Sequence, residues 1–298
     1  MNDLEFESDL IDRDSKIKAV NEQLDLDHNS YVAISGGLDS TIASFLLDYS
    51  LPNNNIPRVF QNTGIEYIEI VKFVKEWAKR DKRIIILNQK RNIKKTLKQY
   101  GYPFKSKEHA MRVNDFNRGS EANYIKKYIT GIDKGEPTRF KCPKILLYQF
   151  EERGKYNYSK ACCYKLKKEQ MHQWEKENKK TIVITGMKKE EGGNRRNISC
   201  LSKKMDKFHP LAPVSEAWEW EFVKRFNIDI CKLYYPPYNF KRTGCKGCPN
   251  NEDIFETLET LKKLLPKEYK QCWHLWKPVY NEYIRIGYRL PKDYKKED

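Results

Sequence analysis

No stretch of this 298-residue chain approaches the ~20 consecutive apolar residues of a membrane span. Residues 1–14 are acidic and mixed in character, so no signal peptide is expected and the reading is a soluble, cytoplasmic protein with no membrane partner. Histidine is scarce, with five residues at no ligand spacing, which argues against a histidine-built metal centre. Internal repeats and low-complexity linkers are missing too. The chain carries neither the Gly-x4-Gly-Lys-Ser/Thr loop nor the Gly-x-Gly-x-x-Gly fingerprint, so two common nucleotide-binding designs drop out.

Positive charge is abundant. Lys and Arg number 57 against 41 Asp and Glu, a formal net charge of +16. That excess favours anionic partners, nucleic acid (DNA or tRNA) first among them, although a solvated basic surface has the same composition. The hydrophobic share of 39% is enough for a sizeable core. Eight cysteines in a reducing compartment point to metal or redox chemistry before disulfides.

Strand and helix patterns alternate along much of the chain. The spacing predicts a helix over 3–24, with Leu4, Leu10, Ile11, Ile17, Val20 and Leu24 as its apolar positions. Strands are expected at 31–34, 58–60, 83–87 and 181–185, and helices at 40–49, 67–80, 92–100 and 164–178. This order implies the α/β class, with a parallel sheet flanked by helices and ligands beyond the carboxyl ends of its strands. Residues 101–160 read as helices and loops over the site. Further helices are expected at 218–226, 254–265 and 268–285, the last kinked or broken near Pro278. The domain reading is an N-terminal helix over 1–28, an α/β nucleotide-binding domain over 29–215 and a mainly helical region over 216–298.

Ser35-Gly36-Gly37-Leu38-Asp39-Ser40-Thr41 lies between the first strand and its helix. Two glycines let consecutive N–H groups converge on one anion, and the helix start near Asp39 or Ser40 adds its positive end. Hydroxyls of Ser35, Ser40 and Thr41 can donate as well. The competing reading is a tight turn capped by Asp39 or Ser40.

Ser-Gly-Gly-x-Asp-Ser resembles the PP-loop of N-type ATP pyrophosphatases and phosphoadenylylsulfate (PAPS) reductases. The segment Asn62-Thr63-Gly64-Ile65-Glu66-Tyr67 is similar to the Asp/Asn-Thr-Gly-x-Glu stretch of the reductase branch, and Gly186-Met187 to Arg195-Arg196 to the later Gly-x-x-x-Glu…Arg segment. The resemblance runs from about residue 29 to 250 and implies an adenine nucleotide α-hydrolase-like fold. It also implies that Ser35, Gly36, Gly37, Asp39, Ser40 and Thr41 hold phosphate or sulfate. Asn62, Thr63, Gly64 and Glu66 would lie near the nucleoside, and Arg195 and Arg196 at the anionic end of the substrate. Asp39, Ser40 and Arg195 are the catalytic candidates. Leu38 departs from the lysine usual in reductases and tilts the reading toward ATP with Mg²⁺.

Cys162-Cys163 and Cys245-Lys246-Gly247-Cys248 form two pairs separated by 81 residues, together a complete set of four thiolates. Spacing alone leaves a [4Fe–4S] cluster and Zn²⁺ open. An adjacent pair followed by Cys-x-x-Cys resembles the cluster pattern of adenylylsulfate reductases, and similar sets occur in iron–sulfur sulfurtransferases that thiolate DNA or tRNA, so the resemblance favours the cluster. Cys231 reads as core filler, Cys200 as a possible reactive thiol, His209 as structural, and Trp218, Trp220 and Phe222 as packing. The Glu-Cys-Gly-Leu-His motif of thioredoxin-dependent reductases is missing; the nearest cysteine is Cys272. Three readings follow. The first is an ATP-using iron–sulfur sulfurtransferase with a sulfur donor such as a cysteine desulfurase. The second is a PAPS or adenylylsulfate reductase with a relocated nucleophile. The third is a non-catalytic nucleic-acid-binding module.

Overall fold

A computed structural model describes residues 2–294. Its strands in chain order are β1 Ser30–Ile34, β2 Arg58–Asn62, β3 Ile84–Asn88, β4 Ile132–Asp133, β5 Glu136–Pro137, β6 Ile182–Ile184 and β7 Lys207–Phe208. Five of them form one sheet in the order β3-β2-β1-β6-β7, and every pairing in it is parallel. The chain divides into two compact units, Met1–Gln89 with Gln170–Gly244 and Lys90–Glu169 with Cys245–Asp298.

The five-stranded sheet belongs to the first unit. Successive side chains of a strand point to opposite faces. Tyr31 and Val59 accordingly face the helix Glu169–Glu177 and pack on Trp174, with Ala33, Ile85, Leu87 and Val183 around them. Val32, Ile34 and Phe60, all buried, point to the other face. The helix Leu38–Ser50 contacts β1, and the helices Asp3–Leu24 and Glu216–Arg225 pack on Leu38–Ser50 in turn. Phe6 stacks on Trp218 with ring centroids 5.3 Å apart, and Trp218 on Phe222 at 5.1 Å, so these aromatics are packing residues as expected.

The N-terminal helix has the expected length, but its buried stripe is Phe6, Leu10, Ile17 and Val20; Leu4 and Ile11 are exposed. A capping box of Asn2 and Glu5 sets its start. The helix Pro266–Ile286 runs unbroken through Pro278. Proline removes one backbone donor there, and the buried Trp273, Trp276, Val279, Tyr280 and Tyr283 offset that loss by packing.

The second unit is mainly helical. Residues 101–160 form the helices Lys107–Asn117 and Asn123–Thr130, the β4–β5 hairpin and a 3-10 turn Lys144–Phe150. Phe104 anchors its core between Tyr158, at 4.3 Å, and Tyr283, at 4.7 Å. His109 hydrogen-bonds Tyr128 at 2.9 Å and Gln149 at 2.8 Å, and burial holds its imidazole down at about 4. No helix among the described residues is long and apolar enough to cross a membrane.

One ion network pins the sheet of the first unit. Arg58 is fully buried and pairs with Asp48 at 2.6 Å; Arg83 reaches Asp48 at 2.7 Å and Asp81 at 2.8 Å. Asp48→Asn leaves the Arg58 guanidinium buried against neutral acceptors, so a loss of about 3 kcal/mol is expected in denaturant unfolding. A change within about ±0.5 kcal/mol, typical of a surface site, would show that Asp48 does not balance Arg58.

Candidate functional site

Chain order reverses direction between β1 and β6: β2 and β3 lie on one side of β1, β6 and β7 on the other. In parallel sheets ligands bind at this switch point, beyond the carboxyl ends of the strands. All three sequence segments singled out for nucleotide binding emerge from carboxyl ends, at 35–41 after β1, 62–66 after β2 and 186–196 after β6.

The loop after β1 is tight because two backbones meet there. Gly36 has φ +71°, and a Cβ on it would lie 2.8 Å from Val74 Cγ2. A Cβ on Gly186 would lie 2.5 Å from the carbonyl oxygen of Asp39, so β6 delivers its following segment directly against the phosphate loop. Gly37, rather than Asp39 or Ser40, is the N-cap of the helix, and no side chain caps it in the usual way. Ser40 Oγ accepts from Ser35 N–H at 3.0 Å and contacts Ser35 Oγ at 3.1 Å; Thr41 Oγ1 donates to Gly37 O at 2.9 Å. The hydroxyl of Tyr234 lies 2.8 Å from Thr243 Oγ1, and a Cβ on Gly37 would lie 2.8 Å from it. Burial pushes the Tyr234 phenol up to about 12, so it stays protonated.

In the second segment Thr63 and Glu66 are buried and tied together. Thr63 N–H and Oγ1–H both donate to the Glu66 carboxylate at 2.8 Å. Asn62 holds Asn88 at 2.9 Å, and Gly64 is exposed. Thr63 and Glu66 therefore shape the turn, while Asn62 and Gly64 present its outer side.

The third segment supplies cations. Lys188 is buried, with Nζ 3.2 Å from Asp39 Oδ1 and in contact with Glu219 Oε2. Burial pulls the Lys188 ammonium down, and the contacts with Glu219 and Asp39 more than reverse it, leaving it above the ordinary lysine value. Burial, and then the charge of Asp39, push Glu219 up to about 9. Its second oxygen, Oε1, is buried with no hydrogen-bond partner among the described residues. Arg195 pairs with Glu191, and Arg242 reaches the same carboxylate at 3.3 Å. Burial, with Arg242 nearby, lowers the Arg195 guanidinium. Arg196 is exposed.

Lys188, Glu219, Arg242 and Tyr234 were missed from sequence. Lys188 sat among the unspecified positions of its segment. Glu219 carried a usable signal: it lies on the buried helix face with Trp218, Phe222 and Val223, where a charge requires a partner.

The cysteine pairs both lie in the second unit. Cys162 and Cys163 open a helix that continues as a π turn, Tyr164–Lys168. The Cys245–Cys248 loop is clamped to the helix Pro266–Ile286. Trp276 Nε1 donates to Lys246 O at 2.9 Å, Tyr283 Oη to Pro249 O at 2.8 Å, and Tyr280 Oη to Gly247 O. Gly247 has φ +59° and packs on Cys272. Cys162 feels the charges of Cys163, Cys248 and Cys245, and Cys248 those of Cys245 and Cys163. Cys163, hydrogen-bonded by Cys162 and flanked by Lys107, Lys167 and Lys168, is drawn down to about 6; Cys162 is raised. Four soft sulfur donors suit an iron–sulfur cluster or zinc. Among the described residues no three His, Cys, Asp or Glu side chains already converge as a site for a metal ion.

Cys231 is buried, and burial pushes the Cys272 thiol up to about 12, which does not suit a nucleophile. Cys200 Sγ lies 3.3 Å from Arg13. His209 is buried against Thr185 Oγ1 at 2.8 Å.

A folded-state carboxyl raised from its ordinary 4.5 to about 9 keeps a proton that the unfolded chain has lost, so stability falls as pH rises through that window. Glu219→Gln is expected to fold with near wild-type stability at pH 7 and to flatten this slope in thermal melts from pH 5 to pH 9. An unchanged slope would mean that Glu219 is ionised in the folded protein.

The phosphoadenosine phosphosulfate reductase domain model matches residues 29–143 and 141–251. Among solved structures, a PAPS reductase from Candida auris in a phosphate complex is 13% identical with a TM-score of 0.44, over 77% of this chain and 87% of that one. The NH3-dependent NAD synthetase of Campylobacter jejuni is 13% identical with a TM-score of 0.41, over 99% and 100%. The U34-tRNA thiolase NcsA of Methanococcus maripaludis, solved with its [4Fe–4S] cluster, is 13% identical with a TM-score of 0.40, over 98% and 84%. No curated protein sequence matches. With the family model covering most of its length, the chain belongs to the phosphoadenosine phosphosulfate reductase domain family.

Proposed function

We propose that this chain is a PP-loop enzyme that binds ATP with Mg²⁺ and activates a substrate for sulfur transfer. The carrying observation is the loop at the switch point. Its glycines, its helix start without a side-chain cap, and the cations Lys188, Arg195 and Arg242 suit a polyphosphate. ATP is attacked at the α-phosphate by a substrate oxygen, pyrophosphate leaves, and hydrosulfide then displaces AMP from the activated atom, the AMP carrying away the substrate oxygen. Asp39, oriented by Lys188, and Ser40 position the nucleotide, and Arg195 stabilises the charge that develops on the phosphates. Leu38 supports ATP over a sulfonucleotide.

Cys162, Cys163, Cys245 and Cys248 would hold a [4Fe–4S] cluster, which when bound supplies the sulfur-carrying chemistry. A cysteine desulfurase together with a two-electron reductant, which brings its persulfide sulfur to the sulfide level, is the class of donor such chemistry needs, and the +16 charge makes DNA or tRNA the acceptor we favour. The family match itself favours a second reading, reduction of PAPS or adenylylsulfate; the buried, high-pKa Cys272 speaks against it.

Titration of anaerobically purified protein with ATP–Mg²⁺, adenylylsulfate and PAPS tests the choice. Tighter ATP binding with release of AMP and pyrophosphate is expected, and preference for a sulfonucleotide would install the reductase reading. Asp39→Ala is expected to lose nucleotide binding at least tenfold with its fold intact; wild-type affinity would remove the loop from the site. Cys245→Ser is expected to lose iron and its visible absorption. Full iron retention would reject the ligand set, and stoichiometric zinc in the wild-type protein would replace the cluster by a structural ion.

A further inference from the structure

The positive charge of this protein is not spread over it. The first unit, Met1–Gln89 with Gln170–Gly244, has 25 Lys and Arg against 24 Asp and Glu. The second, Lys90–Glu169 with Cys245–Asp298, has 32 against 17, a net +15 of the total +16. Residues 90–169 alone hold 21 against 8. Net charge kept for solubility has no reason to collect on one unit; a one-sided excess is the footprint of a polyanion.

Within that segment lies a cavity of about 600 Å³, the size class that takes one nucleotide-sized ligand. Lys107, Arg118, Lys160 and Lys168 line it, together with Cys163 and Tyr164. All four cations are exposed, and none has a carboxylate within 4.0 Å among the described residues. Two carboxylates share the wall, Glu108 and Asp115; Asp115 is engaged by the Tyr124 hydroxyl at 2.5 Å. Aromatic surface is at hand: Tyr164 is 49% exposed and Tyr124 40%. Tyr164 begins the π turn that follows Cys163, a helix irregularity that is frequent at functional sites. Cations without a carboxylate partner, beside exposed rings, are what a single strand needs, the cations for its phosphates and the rings for its bases.

We propose that residues 90–169 bind single-stranded nucleic acid. Its backbone runs over Lys107, Arg118, Lys160 and Lys168, one nucleotide enters the cavity beside Cys163, and a base stacks on Tyr164. This rests on the sulfur-transfer reading for its purpose, and on charge and geometry for its location.

The test is fluorescence anisotropy with a labelled mixed-sequence single-stranded oligonucleotide at several salt concentrations, using the full-length protein. The triple variant Lys107→Gln/Lys160→Gln/Lys168→Gln is expected to bind at least tenfold more weakly at low salt. The slope of log affinity against log salt should fall by about 2, roughly 0.7 for each phosphate no longer neutralised. The corresponding Lys→Arg triple is expected to keep wild-type affinity, and Tyr164→Ala to lose about tenfold. Each Gln change is also made singly, so that a misfolded triple still leaves three slopes to read. Lys203→Gln/Lys204→Gln/Lys207→Gln makes the same charge change on exposed positions of the first unit, and is expected to bind as wild type. Equal weakening by the two triples would overturn the proposal, as would displacement by polyglutamate as effective as by unlabelled strand, or tighter binding of duplex. ATP titration of the wild-type protein separates the failures. Absent ATP binding sinks the proposed function, whereas intact ATP binding with unmoved oligonucleotide affinity sinks only the docking surface.

Discussion

Lys188 carries an ammonium into the interior of the first unit and holds it between Asp39 of the phosphate loop and Glu219 of the helix Glu216–Arg225. Three separate pieces of chain depend on that one cation: the loop after β1, the segment after β6 and a helix further along the chain. Burial makes the arrangement specific. An exposed pair of this kind contributes little, whereas here the buried ammonium requires an ionised carboxylate beside it. The close approach of Gly186 to the Asp39 backbone is the steric side of the same constraint, because any side chain at 186 would push the ammonium away from the loop.

The strands of the large sheet were legible because they are short apolar runs ending in turn residues, and parallel burial on both faces makes such runs continuous. β7 was not, since Lys207-Phe208 is only two residues long; it pairs with Val183 and Ile184. The helix ends at 24, 50, 80 and 100 fell within a residue or so of expectation. Pro278 does not break its helix because helix propensity is a local preference, and the buried aromatic face of Pro266–Ile286 outweighs it. In the site, glycine and hydroxyl positions could be read directly, since backbone conformations restrict which residues fit. The partners that set charge, Glu219 and Arg242, come from distant chain and have no spacing to betray them. Glu219 was nonetheless visible as an acid on an apolar helix face.

Each unit is assembled from two stretches of chain, so the cysteine pairs, far apart in sequence, are neighbours in one unit while the phosphate loop belongs to the other. The Cys245–Cys248 loop owes its shape to ring donors on a single helix, which occupy the carbonyls of Lys246, Gly247 and Pro249. Its backbone is thereby fixed from behind, leaving the thiols as the adjustable part. Charge divides along the same line: the unit that holds the cysteines is strongly basic and the unit that holds the loop is close to neutral.

Tyr234 keeps a protonated hydroxyl beside the phosphate loop, 2.8 Å from Thr243 Oγ1. A Cβ on Gly37 would lie 2.8 Å from that oxygen. Any side chain at position 37 would push the phenol off the loop, so the glycine there serves the distant segment 234–243 as much as its own turn.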